Sequence, residues 1–453
     1  MIAKLHCFFR LFGRLQQGWI KYYGLMCYLR PFIALSLVLS ACDRPVVERA
    51  EKIDLRIATF NVAMGLQAEH QLGQALSHGQ DFRLHQLAEI LQRVRPDIVL
   101  LNEFDYDPNF EAADLFNANF LAVSQNGQQA IEYPYSFRAP VNTGLDSGMD
   151  LDSDGTGHEP EDAYGYGTFP GQYGMLVLSR YPIRLEKSRS FQHFLWADMP
   201  AARRPRNPDG SFYYADDIWS QLRLSSKSHW DLVMDIEGRE LHLLAYHPTP
   251  PVFDGAENRN GLRNFDETRF WLEYLRAGAN DFIVDDEGQS GGLQHGSAFV
   301  IAGDLNADPF DGDSYEGAVT QLLDSEMIDS SCIPKSPGGL EAYALQAGSN
   351  LRHKGNPAAD TSDFNDEYAG NLRLDYLLPS RGLAIRDCGV FWPKQKQQSE
   401  DTHHVADEQS EQSEDTHLEL KSKSSEDTHQ LSEDTHHLAD VSDHRLVWLD
   451  ISL

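Results

Sequence analysis

The chain has 453 residues, and its 69 acidic against 38 basic side chains give a formal charge of −31. At 41% apolar residues it can bury the core of one large α/β domain or two ordinary ones, which excludes collagen-like repeats, a disulfide scaffold and disorder throughout. The acid excess argues against a protein that grips duplex DNA through a basic surface, because phosphate neutralisation supplies most of that affinity.

Residues 1–41 have the features of an export signal. They contain five basic residues and no acidic one, and a short apolar run ends in small residues just before Cys42. The run is too short to span a bilayer as a helix, so an uncleaved hydrophobic anchor is only the alternative reading. A Cys in this position resembles a bacterial lipoprotein box, with Cys42 acylated, and translation starting at Met26 would keep it. We predict a linker over 42–53 and a lipoprotein exported to the periplasm or outer surface of a bacterium, with the lipid as its membrane contact.

Export also bears on the cysteines. The sequence has five, and Cys332 and Cys388 lie well beyond the signal. In an oxidising compartment this pair either forms a disulfide or contributes two small buried side chains. The sequence leaves both alternatives open.

Short apolar runs recur from residue 54 onward, each bounded by Gly, Pro or a polar residue. They cover 55–62, 97–104, 175–178, 241–247, 299–306, 372–378 and 445–451. Runs of this length and composition predict buried strands. Helical spacing of apolar residues predicts helices over 75–95 and 264–277, the second with Asn264 as its N-cap and Glu267 three residues on. Strands mixed with helices predict one α/β domain over 54–451.

Two segments stand apart from this pattern. Residues 142–173 are rich in Gly and Asp and lack periodicity, which predicts a long loop. Residues 394–440 repeat Ser-Glu-Asp-Thr-His four times and contain almost no apolar side chains. Such a composition predicts a disordered acidic tract that interrupts the domain. Its histidines make it either a weak metal-binding segment or a neutral repeat expansion.

Polar side chains able to bind a metal lie at or near the ends of the predicted strands, where functional groups of α/β sheets collect. They are Asn61, Glu103, His247, Asp304, Asn306, Asp375, Asp443 and His444. Each alone is typical of an ordinary turn or a solvated strand end. Together they supply carboxylates, carboxamides and imidazoles, without zinc-like spacing or a partnered nucleophilic Ser or Cys. Oxygen donors suit Mg²⁺, so the set predicts metal-assisted attack of water on a phosphate ester.

The same residues lie in six motifs whose order resembles the endonuclease/exonuclease/phosphatase superfamily, which includes deoxyribonucleases, inositol phosphatases and sphingomyelinases. The motifs are TFN (59–61), NEF (102–104), YHP (246–248), GDLN (303–306), LRLDY (372–376) and SDHR (442–445). Further segments, such as RNGLRNFDETR (259–269), resemble a bacterial exported branch. The resemblance spans about residues 54–451. It implies a four-layer α/β/β/α sandwich of two mixed sheets flanked by helices.

The resemblance implies a metal site at the first and last motifs. Glu103 would be the principal ligand of Mg²⁺, or of Mn²⁺ in its place. Asn61 and Asp443 would lie close to the same ion.

It also implies a catalytic set. Asp304 and Asn306 would position the attacking water and the phosphate. His444, oriented by Asp375, would contact the scissile phosphate or act as base. His247 matches a histidine that serves as a second acid or phosphate contact. Whether Asp304 or His444 takes the proton of the water stays open.

Four cationic or imidazole side chains are candidates for binding the substrate. They are Lys227, His229, Arg259 and Arg263. In so acidic a protein such groups are natural partners of a phosphorylated substrate. For the two arginines, helix capping or ion pairing is the alternative role.

A separate acidic motif matches the oxygen-ligand spacing of a calcium loop. Asp150, Asp152 and Asp154 alternate before Gly155, and Glu161 follows six residues later. We predict a structural Ca²⁺ there, outside any paired EF-hand. A solvated acidic loop is the alternative.

Three functions remain in view. The first is a monomeric phosphoesterase acting on small phosphate monoesters or diesters. The second is a secreted nuclease using the same residues, which the acidic charge and the acidic tract disfavour. The third is a binding module that has kept the fold, which predicts gaps in the six motifs, and none is present.

Overall fold

The computed structural model describes residues 52–278, 280–394 and 436–453. The predicted signal peptide, Cys42 and most of the acidic tract lie outside the described residues. The strands are β1 (Asp54–Met64), β2 (Ile98–Phe104), β3 (Tyr135–Phe137), β4 (Met175–Ser179), β5 (Arg189–Ser190), β6 (His229–Ile236), β7 (Arg239–Tyr246), β8 (Phe299–Asp304), β9 (Ser362–Asp363), β10 (Asn371–Leu372), β11 (Asp375–Pro379), β12 (Ala384–Phe391) and β13 (Leu446–Ser452). The α-helices are α1 (Gln71–His78), α2 (Phe82–Val94), α3 (Ala112–Phe116), α4 (Asp216–Trp219), α5 (Arg259–Leu275), α6 (Thr320–Leu323) and α7 (Pro337–Gln346).

Two mixed sheets form the centre of the fold. The first has the order β12-β13-β1-β2-β4-β3, and the second has the order β11-β8-β7-β6-β5. Strands β1 and β2 are parallel, as are β7 and β8, whereas their other neighbours in the sheets pair antiparallel. Strands β9 and β10 pair separately.

The hydrophobic core has three layers, one between the two sheets and one on the outer face of each sheet. Leu55 of β1 and Leu243 of β7 belong to the cluster between the two sheets. Leu87 of α2 packs on the outer face of the first sheet, and Trp271 of α5 packs on the outer face of the second. The predicted α/β/β/α sandwich of two mixed sheets flanked by helices is therefore confirmed.

Strand alternation decides which polar residues enter the space between the sheets. Side chains two apart on a strand share a face. Val300 and Ala302 of β8 belong to the inter-sheet core, and the next residue in their row is Asp304. The row that starts at Leu55 in β1 reaches Asn61 in the same way. The polar strand ends are thus continuations of the inner core rows.

The helices differ from their prediction in two places. The predicted helix over 75–95 is two helices, because Gly79 ends α1 in a left-handed conformation (φ 64°) and Asp81 caps α2 by accepting from Leu84 N at 3.0 Å. The N-cap of α5 is Asn258 rather than Asn264, so the prediction of a cap there was wrong. Asn264 instead lies inside the helix with its side chain buried.

The irregular segments also differ in part from their prediction. Residues 142–173 form the expected long loop, with a single short 3₁₀ turn at Pro160–Asp162. The end of the tract predicted to be disordered belongs to the fold, because Leu438 is 2% exposed and packs into the core beside α2. Cys332 and Cys388 form a disulfide. None of the helices in the described part of the chain has the length and apolarity needed to cross a membrane.

Candidate active site

The candidate site lies at one end of the inter-sheet core. The parallel strands β1 and β2 of one sheet, and β7 and β8 of the other, all end there. Strand β11 runs antiparallel to β8 and begins there, with Asp375 directly opposite Asp304. The residues before β13, including His444, reach the same end because β13 is antiparallel to β1. The topology therefore brings together motifs that are far apart in the chain.

Asp304 is the centre of the site. Asn61 Nδ2 donates to Asp304 Oδ2 at 3.0 Å and to Glu103 Oε1 at 3.1 Å. The Nε2 atoms of His247 and His444 lie 3.4 and 3.6 Å from the same Asp304 oxygen. Asp304, Asn61, His247 and His444 are all buried, whereas Glu103 is half-buried. One carboxylate oxygen is thus shared by an amide and two imidazoles.

His444 is held by a carboxylate on its other side. Its Nδ1 lies 2.8 Å from Asp375 Oδ2, which also accepts from the Thr361 hydroxyl at 2.7 Å. The hydrogen bond at Nδ1 fixes the ring and leaves Nε2 directed at Asp304. The second oxygen of Asp375 is buried without a hydrogen-bond partner in the described residues.

The charges of this group depend on one another. Burial raises the pKa of Asp375 to about 6. Burial alone would lower the pKa of His444, but the carboxylates of Asp375 and Asp304 raise it to about 10. Asp304 shows the reverse: burial opposes its ionisation, yet His444 and His247 hold its pKa well below the usual range. At neutral pH the arrangement is an imidazolium between two carboxyl groups.

The backbone is strained around these side chains. Ala63, Glu103 and Asn306 have φ values of 49°, 55° and 51°, in the left-handed region that favours glycine. At Ala63 and Glu103 this conformation costs about 1–2 kcal/mol each, whereas asparagine adopts it more readily. At Glu103 this conformation interrupts the strand alternation and accompanies the contact with Asn61. Strain of this kind clusters at functional sites, where the surrounding structure maintains it.

Asn306 and Asp443 lie at the edges of the group. Asn306 Nδ2 donates to Pro248 O at 3.1 Å, and its N–H donates to Asp304 Oδ1 at 2.9 Å. Asp443 is exposed. Ser442 Oγ donates to the main-chain oxygen of Asn61 at 2.8 Å, which ties the loop carrying Asp443 to the end of β1. A cavity of about 490 Å³ opens beside this loop.

The donor set fits a hard divalent cation. Ligand atoms of Asp304, Asp375 and His444 lie within 4.8 Å of one another, and Glu103 joins Asp304 through Asn61. The His444 imidazolium offsets part of the buried negative charge, and the unpartnered oxygen of Asp375 and the half-buried carboxylate of Glu103 supply further oxygen donors. Carboxylate and amide oxygens are what Mg²⁺ and Mn²⁺ prefer.

Of the predicted substrate-binding residues, Lys227 has the freest functional group. Its side chain is 6% exposed, and within the described residues its ammonium makes no hydrogen bond or ion pair. Burial lowers its pKa, opposed by the charges of Glu103, Glu267 and Asp304.

The other three predicted residues have partners inside the protein. His229 contacts Ser225 Oγ through Nδ1 and Glu267 O through Nε2, the latter at 2.8 Å. Arg263 donates to main-chain oxygens of the segment before β6, including Leu224 O at 2.8 Å. Arg259 pairs with Glu257. For Arg259 this is the ion pair that the sequence left open, whereas the contacts of Arg263 are neither a helix cap nor an ion pair.

Two residues that support the site were not predicted from the sequence. Thr361 positions Asp375, and nothing in its local sequence indicates this. Glu267 is fully buried and binds loops beside the site, although its sequence position suggested only a capping contact. Both act through partners that are distant in sequence.

The predicted calcium loop brings together a different set of acids. Oxygens of Asp150, Asp152 and Asp162 lie within 4.8 Å of one another. The 3₁₀ turn buries Asp162, which accepts from Leu151 N at 2.7 Å, and leaves Glu161 exposed. Asp154 is exposed and accepts from Thr156 N.

Comparison with known proteins identifies a family by sequence and several solved structures of low identity. The sequence matches the Endonuclease/Exonuclease/phosphatase family over residues 58–444, and a search of curated proteins finds no match. An endonuclease/exonuclease/phosphatase from Beutenbergia cavernae DSM 12333 is 16% identical, with 88% of this chain and 72% of that chain covered and a TM-score of 0.45. Sphingomyelinase C from Streptomyces griseocarneus is 17% identical, with 88% and 99% covered and a TM-score of 0.41.

The family match covers most of the chain, including the motifs from Asn61 to His444. The described fold is the α/β arrangement of two mixed sheets flanked by helices. Members of this family are metal-dependent enzymes that hydrolyse phosphate esters. The chain belongs to the endonuclease/exonuclease/phosphatase family and is a metal-dependent phosphoester hydrolase.

Proposed function

We propose that this protein is an exported Mg²⁺-dependent phosphoesterase that hydrolyses small phosphate monoesters or diesters by attack of water. The observation that carries the proposal is the convergence of Asn61, His247 and His444 on one oxygen of Asp304. That arrangement supplies an ionised carboxylate and hydrogen-bond donors within one buried space, as direct hydrolysis requires.

The metal in this proposal is held by Glu103, with Asn61 and Asp443 beside it. When bound, Mg²⁺ neutralises negative charge that develops on the phosphoryl oxygens. Mn²⁺ offers the same coordination preferences and is the alternative ion.

The residues around Asp304 orient the reaction. Asp304 is ionised at neutral pH, so of the two candidate bases it is the one able to accept the proton of the attacking water. His444 is protonated and donates from Nε2, while Asp375 holds its Nδ1. The Lys227 ammonium binds the phosphoryl oxygens from the second sheet, and His247 joins it through its Nδ1, which lacks a partner in the described residues, when the ring carries both protons.

We also propose that Cys42 is acylated and anchors the enzyme, as a monomer, to a bacterial membrane after export. The basic leader and the small residues before Cys42 support this. The Cys332–Cys388 disulfide supports it independently, because such bonds persist mainly in oxidising compartments. Labelling with a radioactive fatty acid should mark the wild type and fail to mark Cys42→Ser.

The test of function is a substrate panel with the purified protein. Bis-p-nitrophenyl phosphate, p-nitrophenyl phosphate, phytate and plasmid DNA are each assayed with and without Mg²⁺. We expect hydrolysis of at least one small ester only with the metal, and little cleavage of DNA. Asp304→Ala and His444→Ala should abolish it, and activity that survives both substitutions contradicts the proposed site.

A further inference from the structure

A buried carboxylate outside the catalytic group connects two of the loops that lie beside the catalytic residues. Glu267 of α5 is 0% exposed. Its Oε1 accepts from Ser226 N and its Oε2 accepts from Thr249 N, both at 2.7 Å. Ser226 immediately precedes Lys227, and Thr249 lies two residues after His247. One side chain therefore fixes the approach to β6 and the exit from β7 at the same time.

The same face of α5 makes further contacts of this kind. Asn264 Nδ2 donates to Thr249 O at 2.8 Å and to Leu305 O at 3.0 Å, next to Asn306. Arg263 donates to Ser225 O at 3.2 Å. Loops beside three different strands are thus held by three polar side chains of one helix.

The geometry gives Lys227 an unusual position. Lys227 is 6% exposed as a residue, and its ammonium lacks a hydrogen-bond or ion-pair partner among the described residues. The charged and titratable groups that act on it are Glu103, Glu267, Asp304, Arg263 and His247. A cation on a largely buried side chain without a direct partner is poorly compensated in the folded state, and an anionic ligand would complete its surroundings.

We propose that Glu267 is a positioning residue that sets the distance between Lys227 and His247 so that both contact one phosphoryl group. This inference rests on the proposed function, since the phosphoryl group is that of the substrate ester. Glu267 acts through the two loops and does not touch the substrate. Its carboxylate has two acceptor oxygens, one for each loop, whereas a carboxamide has only one.

The experiment measures binding of inorganic phosphate in the presence of Mg²⁺ by calorimetry, so that no turnover is needed. Lys227→Met and Glu267→Gln should each weaken phosphate binding about tenfold. In the double variant the further loss beyond that of Lys227→Met should be clearly less than about tenfold, because only the effect of Glu267 on His247 remains once the Lys227 ammonium is gone. Mn²⁺ affinity, measured by electron paramagnetic resonance, should stay within about twofold of the wild type.

Glu273→Gln is the matched control. Glu273 is a largely buried carboxylate of the same helix that pairs with Arg276 at 2.7 Å, away from the two loops. This change should lower the melting temperature without altering phosphate binding. Glu267→Asp, which keeps the charge but reaches less far, gives a second measure and should weaken phosphate binding about threefold.

Three outcomes overturn the inference: unchanged phosphate affinity in both Glu267 variants, fully additive losses in the double variant, or an equal loss of Mn²⁺ binding. If phosphate binding depends on Glu267 as expected but no ester is hydrolysed, the proposed function fails and the positioning role stands. If instead an ester is hydrolysed equally well after Glu267 is replaced, the proposed function stands and the positioning role fails.

Discussion

Two acidic clusters in this protein each bring their ligand atoms within 4.8 Å of one another, but the two clusters differ in their surroundings. Asp304 and Asp375 are buried, lie on strands of one sheet and enclose His444 between them. The second cluster consists of Asp150, Asp152 and Asp162, all in one surface loop.

The difference lies in what the carboxylates bind. In the strand cluster the partners are side chains distant in sequence, such as Asn61, and burial strengthens every interaction. In the loop cluster the partners are nearby backbone amides: Asp150 accepts from Ser153 N and Gly155 N. A carboxylate that accepts hydrogen bonds from amides of its own loop stabilises that loop. A carboxylate whose partners come from distant strands lies where several functional side chains meet, and it can take part in a reaction there. Substitutions should therefore affect activity in the first cluster and local stability in the second.

The largest effect is expected for Asp304→Asn. The substitution removes the charge that His247 and His444 surround while keeping the shape of the side chain. We expect kcat to fall about 10³-fold, in steady-state assays of the best ester from the panel. The melting temperature controls for folding. A loss smaller than tenfold would contradict the central role of this carboxylate.

Asp375→Asn should have a smaller effect on the same reaction. His444 would lose the charged partner at Nδ1 and be held by a weaker contact. We expect kcat to fall about 10²-fold. Thr361→Val, which removes only the hydroxyl that supports Asp375, should cost less than Asp375→Asn in the same assay. The reverse order would show that His444 is not oriented by this carboxylate.

The loop cluster should respond to calcium through stability. After metal removal by chelation, Mg²⁺ should restore activity, and added Ca²⁺ should raise the melting temperature by about 2–4 °C. Asp162→Asn should remove this Ca²⁺-dependent shift. Glu161→Gln is the control, because Glu161 is exposed and outside the cluster, and it should leave the shift intact. No shift in the wild type argues for a solvated loop.

The smallest effect concerns a buried acid without a cation. Burial, together with the charges of Asp308 and Asp311, raises the pKa of Asp360 to about 8. The folded state therefore binds this proton more tightly than the unfolded chain, and its stabilising effect is lost as the pH rises from about 4 to 8. Asp360→Asn should raise the melting temperature by about 2 °C at pH 8 and give no gain at pH 4.5, measured by calorimetry. An equal gain at both pH values would exclude a titration effect.

Much of the site could be predicted because strand ends are marked in the sequence. Apolar runs located most of the central strands, and the motifs at the ends of these runs contain Asp304, Asp375 and His444. The break at Gly79 and the true start of α5 were missed, since apolar periodicity continues through a turn and says little about caps. Prediction from local sequence fails most often where the hydrogen-bond partner of a side chain is distant in the chain.

The arginines and the calcium loop illustrate that failure. Nothing near Arg263 in the sequence indicates that its donors bind carbonyls of the segment before β6. Lys227 belongs to the same predicted group and has no such partner among the described residues. In the acidic loop, spacing favoured Glu161, but a single 3₁₀ turn directs Asp162 inward instead. Whether such a side chain is bound inside the protein or faces the site depends on residues distant in sequence, so the local composition does not predict it.

The continuation of the inner rows into Asn61 and Asp304 has an evolutionary consequence. A strand has a repeat of two, so one inserted or deleted residue inside β8 would point Asp304 out of the cleft and Gly303 into it. Length changes in these strands should be purged, while the loops between them are free to lengthen or be exchanged. New substrates are thus most easily acquired at the rim, around an unaltered reaction centre.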